Sequence, residues 1–291
     1  MPPSKHLSSP PTDQDRHIVD ILIEERAVEL IKRPLLWRFI KRYLYPLLGY
    51  EEAQKTAATL ASMSGSEVLH YLCSKLSMEI EVSGAQSVEP TGLAFATVNH
   101  PAGITDGIAV FEALHSVRDD IAFFANRDAV RISPNATDTF IPVEWRPHLR
   151  TREKTREMLR ALSDCVAKKK IIVVFPSGRL AQPTIHGLVE RPWTPTALRL
   201  ARKYDAPIIP INIQSKNSLL YYFFWFVNTV LRDMTLFREG LNKRAQRYRI
   251  RIGEAFRCES DVETETQALR HFVVNEMPDG LTQFCRSGRR L

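Results

Sequence analysis

The chain of 291 residues lacks any apolar run of the roughly 18 residues that a membrane-spanning helix needs. Its opening, MPPSKHLSSPPTDQDRH, lacks the apolar centre of a signal peptide. Proline, serine and polar residues there read as a disordered lead-in over 1–16. Cysteine is scarce: Cys73, Cys165, Cys258 and Cys285 stand far apart, with no CxxC pair. That spacing argues against a metal centre, a redox motif or a disulfide framework, and reads as reduced thiols in a cytoplasmic compartment. Internal repeats are also missing.

What remains is a globular composition, 44% hydrophobic and 25% charged, long enough for one large core or two small domains. The net charge of +7 favours an anionic partner. Nucleic acid, anionic lipid and an acidic carrier protein all qualify on charge. The basic residues are spread out, however, with no helix-turn-helix, zinc or aromatic-sheet motif, so nucleic acid is not an expected partner.

From 17 to 77 the pattern is helical. In PLLWRFIKRYLYPLLG (34–49), Leu35, Leu36, Phe39, Ile40, Tyr43, Leu44, Leu47 and Leu48 fall in pairs four apart, an apolar helical stripe. Arg38, Lys41 and Arg42 lie off that stripe, and Lys32 and Arg33 precede it. One reading is a surface helix packed on the core. The other is an interfacial helix on anionic lipid, which Trp37, Tyr43 and Tyr45 would suit. Pro46 bends or ends the helix.

Beyond residue 78 short apolar runs alternate with helical segments. Strands are expected at 79–82, 93–98, 121–124, 171–175, 208–213 and 248–252, and helices at 106–115, 152–167, 195–204, 218–240 and 263–275. This is an α/β pattern: a central mixed, largely parallel sheet flanked by helices, preceded by an N-terminal helical, membrane-associating segment. The domain reading is a lead-in at 1–16, a helical region at 17–77 and an α/β domain at 78–291. In such sheets ligands bind beyond the carboxyl ends of strands.

One motif stands there. ATVNHPAGITDG (96–107) puts His100 at a strand end and Asp106 at a helix start, with Pro101 and Gly103 forcing a turn and Thr105 as N-cap. The turn can bring carboxylate to imidazole. A neutral histidine accepts a proton near pH 7, and a carboxylate on its far nitrogen fixes the tautomer. No Ser or Cys nucleophile elbow accompanies the pair, so direct attack by an acceptor hydroxyl is expected. A second motif, VFPSGRL (174–180), ends another apolar run.

Together NHPAGITD, FPSGRL and APIIPI (206–211), in that order, resemble the glycerolipid and lysophospholipid acyltransferase family. FFANRDAV (123–130) and FIPV (140–143) look like that family's second block. The resemblance spans 78–256. It implies transfer of a fatty acyl group from acyl-CoA or acyl carrier protein to a lysolipid hydroxyl, with no cofactor beyond that co-substrate. It implies His100 as base, Asp106 as its partner, and Ser177, Gly178, Arg179 and Arg127 as binders of the acceptor's polar head. It also implies a peripheral place on a membrane lipid surface, on the inner face of the cell membrane.

Two departures stand out. Five residues, not four, separate His100 from Asp106, as in a haemolysin-like bacterial branch. Ser177 and Arg179 replace the family's Glu and Thr, which points to a lyso-aminolipid as an alternative to lysophosphatidic acid. A hydrolase on the same fold and a non-catalytic lipid-binding protein are the alternative functions. SLLYYFFWFVNTV (218–230) reads as a buried core helix, or as an acyl-tunnel wall or membrane-dipping segment. The terminal CRSGRRL reads as a solvated tail able to add attraction to anionic lipid.

Overall fold

Continuous apolar runs, rather than alternating ones, mark the central strands, because a parallel sheet is covered on both faces. The computed structural model describes residues 16–185, 187–227, 229–242 and 246–285. The expected lead-in, but for residue 16, and the basic tail after Cys285 lie outside the described residues. In chain order the strands are β1 (Glu79–Ser83), β2 (Ala94–Val98), β3 (Ile121–Asn126), β4 (Phe140–Val143), β5 (Ile171–Val174), β6 (Gln182–Thr184), β7 (Gly187–Val189), β8 (Ile208–Gln214) and β9 (Arg247–Ile252). All but β6 and β7, which form a small antiparallel hairpin, join one sheet of order β1-β9-β8-β2-β5-β3-β4.

From β8 across to β4 every neighbouring pair is parallel. Only β8 and β9 run antiparallel, and β1 then lies parallel to β9. The fold is the expected α/β class with a mixed, largely parallel sheet. β2 and β5 are buried throughout. β9, near the edge, alternates instead: Tyr248, Ile250 and Ile252 point in, while Arg247 and Arg249 pair outward with Glu79 and Glu81 of β1.

Helices Gly65–Leu76 and Ile104–His115 close one face of the sheet, packing Leu69, Leu72, Leu76, Ile108 and Phe111 against Ala96, Val98, Ile171 and Ile211. Helices Arg152–Ala167, Thr196–Lys203 and Val262–His271 close the other around Phe95, Ile172, Trp193, Leu198 and Leu269. A third cluster joins the N-terminal helices, Val19, Ile23, Trp37, Ile40 and Tyr45, to Leu220 and Leu231.

Several elements differ from expectation for identifiable reasons. β4 contains Pro142, which cannot donate to a ladder; it is tolerated because β4 is an edge strand, pairing only with β3. The 218–240 segment is two helices, Leu219–Val227 and Thr229–Asn242, packed on each other. The 34–49 stripe does not face one way. Pro46 has no N–H for the carbonyl four residues back, and the helix widens to a π turn at Ile40–Leu44, with Tyr45 N–H donating to Ile40 O. The extra residue per turn rotates the face. Trp37 and Tyr45 are therefore buried and meet edge to face at 6.0 Å, whereas Leu35, Phe39, Tyr43 and Leu47 are exposed.

Candidate active site

Five parallel strands end on one edge of the sheet, and each turn that leaves them carries a polar group. β2 runs into Asn99 and His100, β3 into Arg127, β4 into Glu144, β5 into Phe175–Arg179 as the segment 175–179, and β8 into Ser215. Asn99 finishes the β2–β8 ladder with its side chain, donating to Ile213 O at 2.9 Å and accepting from Ile213 N at 2.8 Å.

His100 is held at both ends of its backbone. Its N–H donates to Glu190 at 3.1 Å, and its carbonyl accepts from Ala181 N–H at 2.8 Å. Glu190 is itself buried and accepts from Trp193 Nε1 at 3.0 Å. Phe175 stacks on the imidazole with centroids 4.2 Å apart. The residues just after β5 thus clamp the ring that follows β2.

The imidazole Nδ1 meets Asp106 Oδ2 at 3.0 Å. Asp106 lies in the first turn of helix Ile104–His115 and is fully buried. The helix is capped by Gly103, not by Thr105, which sits inside it. Gly103 adopts φ 96° and ψ −130°, a region closed to residues with a Cβ, and this reverses the chain so that the carboxylate faces back. Oδ2 also accepts the N–H groups of Ala102 at 2.7 Å and Gly103 at 2.8 Å, while Oδ1 accepts Ser215 Oγ at 2.7 Å. Held by bonds on both oxygens, the carboxylate is fixed in orientation. Burial raises the phenols of Tyr222 and Tyr248, which lie near enough to feel the Asp106 charge, so both stay neutral beside it.

Asp106 engages Nδ1, which leaves Nε2 of a ring about 20% exposed to meet a substrate. That arrangement is a base with a fixed tautomer at a solvent-reachable edge. Beside it the turn after β5 is shaped by Gly178, whose φ of 59° is left-handed. Gly178 N–H donates to Phe175 O at 2.9 Å and is committed to the turn. Ser177 Oγ bonds Arg179 O at 2.8 Å. Arg179 is exposed and makes no ion pair with another described residue. Arg127 stands apart: Nη1 lies 2.7 Å from Glu157 Oε2, an ion pair whose angle falls short of a hydrogen bond, and nothing links it to His100. Among the described residues no three metal-ligating side chains converge.

A cavity of about 530 Å³ opens at the opposite, amino-terminal edge of the sheet, lined in part by Leu93, Arg118 and Tyr204. Arg118 is spent on Asp120 and on three backbone carbonyls, so its guanidinium knits loops together.

Sequence reasoning missed Ser215, Glu190 and Phe175 as parts of the site. Ser215 carried a signal, since it directly follows a buried strand. Glu190 carried none, being a lone carboxylate in a loop.

The site is thus a His–Asp pair on the carboxyl edge of a largely parallel α/β sheet, an arrangement suited to acid–base chemistry. Residues 79–214 match the model of the family described as Acyltransferase. At that level the resemblance drawn from the three motifs holds. The chain is also similar to the crystal structure of the 1-acyl-sn-glycerophosphate (LPA) acyltransferase, PlsC, from Thermotoga maritima, with 14% identity and a TM-score of 0.43 over 92% of this chain and 100% of that one. No curated protein matches the chain.

Proposed function

We propose that this protein transfers a fatty acyl group from an acyl thioester, acyl-CoA or acyl carrier protein, to the hydroxyl of a lysophospholipid or related lysolipid. The reading rests on one observation: the buried, four-fold hydrogen-bonded Asp106 holds His100 through Nδ1, within the residues that match the Acyltransferase family model. Nε2 of His100 removes the acceptor's hydroxyl proton as its oxygen attacks the thioester carbonyl. The tetrahedral species then collapses by breaking the C–S bond, and the imidazolium returns the proton to the departing thiolate. General base catalysis of this kind contributes about 10²–10⁴ in rate. Asp106 stabilises the imidazolium between the two steps.

Arg179 is suited to the acceptor's phosphate, being exposed and without an ion-pair partner among the described residues. The protein would work on a lipid surface. No helix of the described residues is long and apolar enough to cross a membrane. The exposed Leu35, Phe39, Tyr43 and Leu47 alternate with exposed Arg38, Lys41 and Arg42, a pattern suited to lying on anionic lipid at the inner face of a cell membrane.

The test is product analysis from a labelled acyl thioester incubated with purified protein and a panel of lysolipids, lysophosphatidic acid and lyso-aminolipids included. Label in a diacyl product supports the reading. Label released only as free acid, whatever the acceptor, replaces it with a hydrolase. No turnover of any thioester leaves a lipid-binding role.

A further inference from the structure

A second exposed apolar face lies on helix Leu219–Val227, away from the N-terminal stripe in sequence. Leu219, Phe223, Phe226 and Val227 are 87%, 59%, 75% and 58% exposed. They recur at i, i+4, i+7 and i+8, so they share one side of the helix. Tyr221 and Phe224, on the other side, are buried. Large side chains gathered this way are not scattered surface residues; they form a patch that requires an occupant.

Three observations say what covers it. First, the helix packs beside the N-terminal segment. Leu220 packs into the cluster of Trp37, Ile40 and Tyr45, the buried side of the same segment that exposes Leu35, Phe39 and Tyr43. Second, cations outnumber acids around both faces. Residues 32–50 include Lys32, Arg33, Arg38, Lys41 and Arg42 and no acid, and the second helix is preceded by exposed Lys216 and flanked by Arg191 and by Arg232, the last paired with Asp233. Trp225 lies under Arg232 at 4.7 Å and near Arg191 at 5.9 Å, which places cations at the helix flank. A second copy of this chain would bring like charge against like charge; an anionic bilayer satisfies both the apolar and the basic requirement. Third, the helix is tied to the site. The chain runs from Ser215, bonded to Asp106, to Asn217, whose N–H donates to Tyr222 Oη at 3.0 Å, and Ser218, whose N–H donates to the buried Glu239 at 2.9 Å.

We propose that helix Leu219–Val227 inserts its Phe223–Phe226 side into an anionic bilayer and thereby sets the entrance to the His100 site at the membrane. A lysolipid would then reach the imidazole laterally, keeping its acyl chain in the lipid. This inference rests on the acceptor being a lipid.

Insertion is measured without catalysis. An environment-sensitive NBD probe is attached to Phe226→Cys in a Cys285→Ser background, and vesicles of phosphatidylglycerol and phosphatidylcholine are added. A blue shift of emission is expected. No shift, or a shift without vesicles accompanied by a doubled mass in light scattering, overturns the proposal. The second measurement is a ratio: turnover on long-chain lysolipid embedded in those vesicles over turnover on a short-chain, monomeric lysolipid. In Phe223→Ser/Phe226→Ser that ratio is expected to fall by about tenfold from the parent value. An unchanged ratio overturns the proposal. Should the parent protein turn over neither acceptor, the acyl-transfer reading fails while the probe still decides insertion.

Discussion

Ser215 Oγ donates to Asp106 Oδ1 at 2.7 Å across a sequence separation of 109 residues. The bond joins the end of β8 to the first turn of the helix that follows β2. It fills the one carboxylate oxygen that the local turn leaves open, since Ala102 N–H, Gly103 N–H and His100 all use Oδ2. Ser215 thus acts on the imidazole only through Asp106, as a positioning residue.

Ser215→Ala is expected to lower kcat by about tenfold, in line with one neutral-to-charged hydrogen bond, with little change in KM for either substrate. Ser215→Thr keeps the hydroxyl and is expected to recover most of that loss. Steady-state kinetics of the pair checks this; an alanine variant that loses only thermal stability and keeps full kcat would refute it.

His100→Ala removes the proposed base without touching the core, because the ring is partly exposed and its backbone is pinned by Glu190 and Ala181. Activity is expected to fall by about 10²–10⁴ or more, with the melting temperature nearly unchanged. Loss of the folded state in circular dichroism would show that the clamp under Phe175 is structural first.

Much of this was legible in the sequence, and the limits are physical. The strands at 94–98, 171–174 and 208–214 are buried apolar runs bounded by turn residues, so their positions followed from composition. His100 and Asp106 were legible because Pro101 and Gly103 announce a reversal between them. The edge strand at Phe140–Val143 was hidden by Pro142, whose place depends on having no outer neighbour. Trp37 and Tyr45 suited the lipid-facing one of two readings and are buried instead, and no local pattern encodes the π turn at Ile40–Leu44 that sets the helical phase between them. Ser215 and Glu190 reach the site through tertiary contacts 109 and 90 residues away from their partners, beyond any short-range signal.

Gly103 is required by conformation. At φ 96° and ψ −130° an alanine Cβ is strained by about 1–3 kcal/mol. Relief would turn the Gly103 N–H away from Asp106 and release the carboxylate. Gly103→Ala is therefore expected to lose both stability, by that amount in chemical denaturation, and activity, by more than Ser215→Ala does. Wild-type kinetics in a destabilised variant would show that the turn and the pair are not coupled.

An ionic cluster after β4 anchors the N-terminal helices to the α/β domain. Glu144 bonds Arg146 at 2.9 Å and Lys154 at 3.0 Å, and Arg146 and Arg131 both reach Glu25 of helix Ile18–Arg26. Burial disfavours the charged form of Glu144, yet the hydrogen bonds from Arg146 and Lys154 and the Arg146 charge outweigh it and hold the carboxyl at about 2. Glu25 is also held low, chiefly by its bond to Arg131. A carboxylate lowered on folding stabilises the protein above its unfolded value of 4.5 and loses that contribution as pH falls toward 2. Glu144→Gln is accordingly expected to cost about 2–3 kcal/mol at pH 7. The gap from the parent should narrow as denaturation is repeated at progressively lower pH, from about 5 downward, and close only toward about 2. A gap of constant size would mean that Glu144 acts through packing and not through its charge. If the gap closes, the N-terminal helices should also loosen first, seen as early proteolysis near Glu25 in acid, since the pairs from Arg146 and Arg131 to Glu25 add to the Arg26–Asp128 pair and the apolar cluster in holding them down.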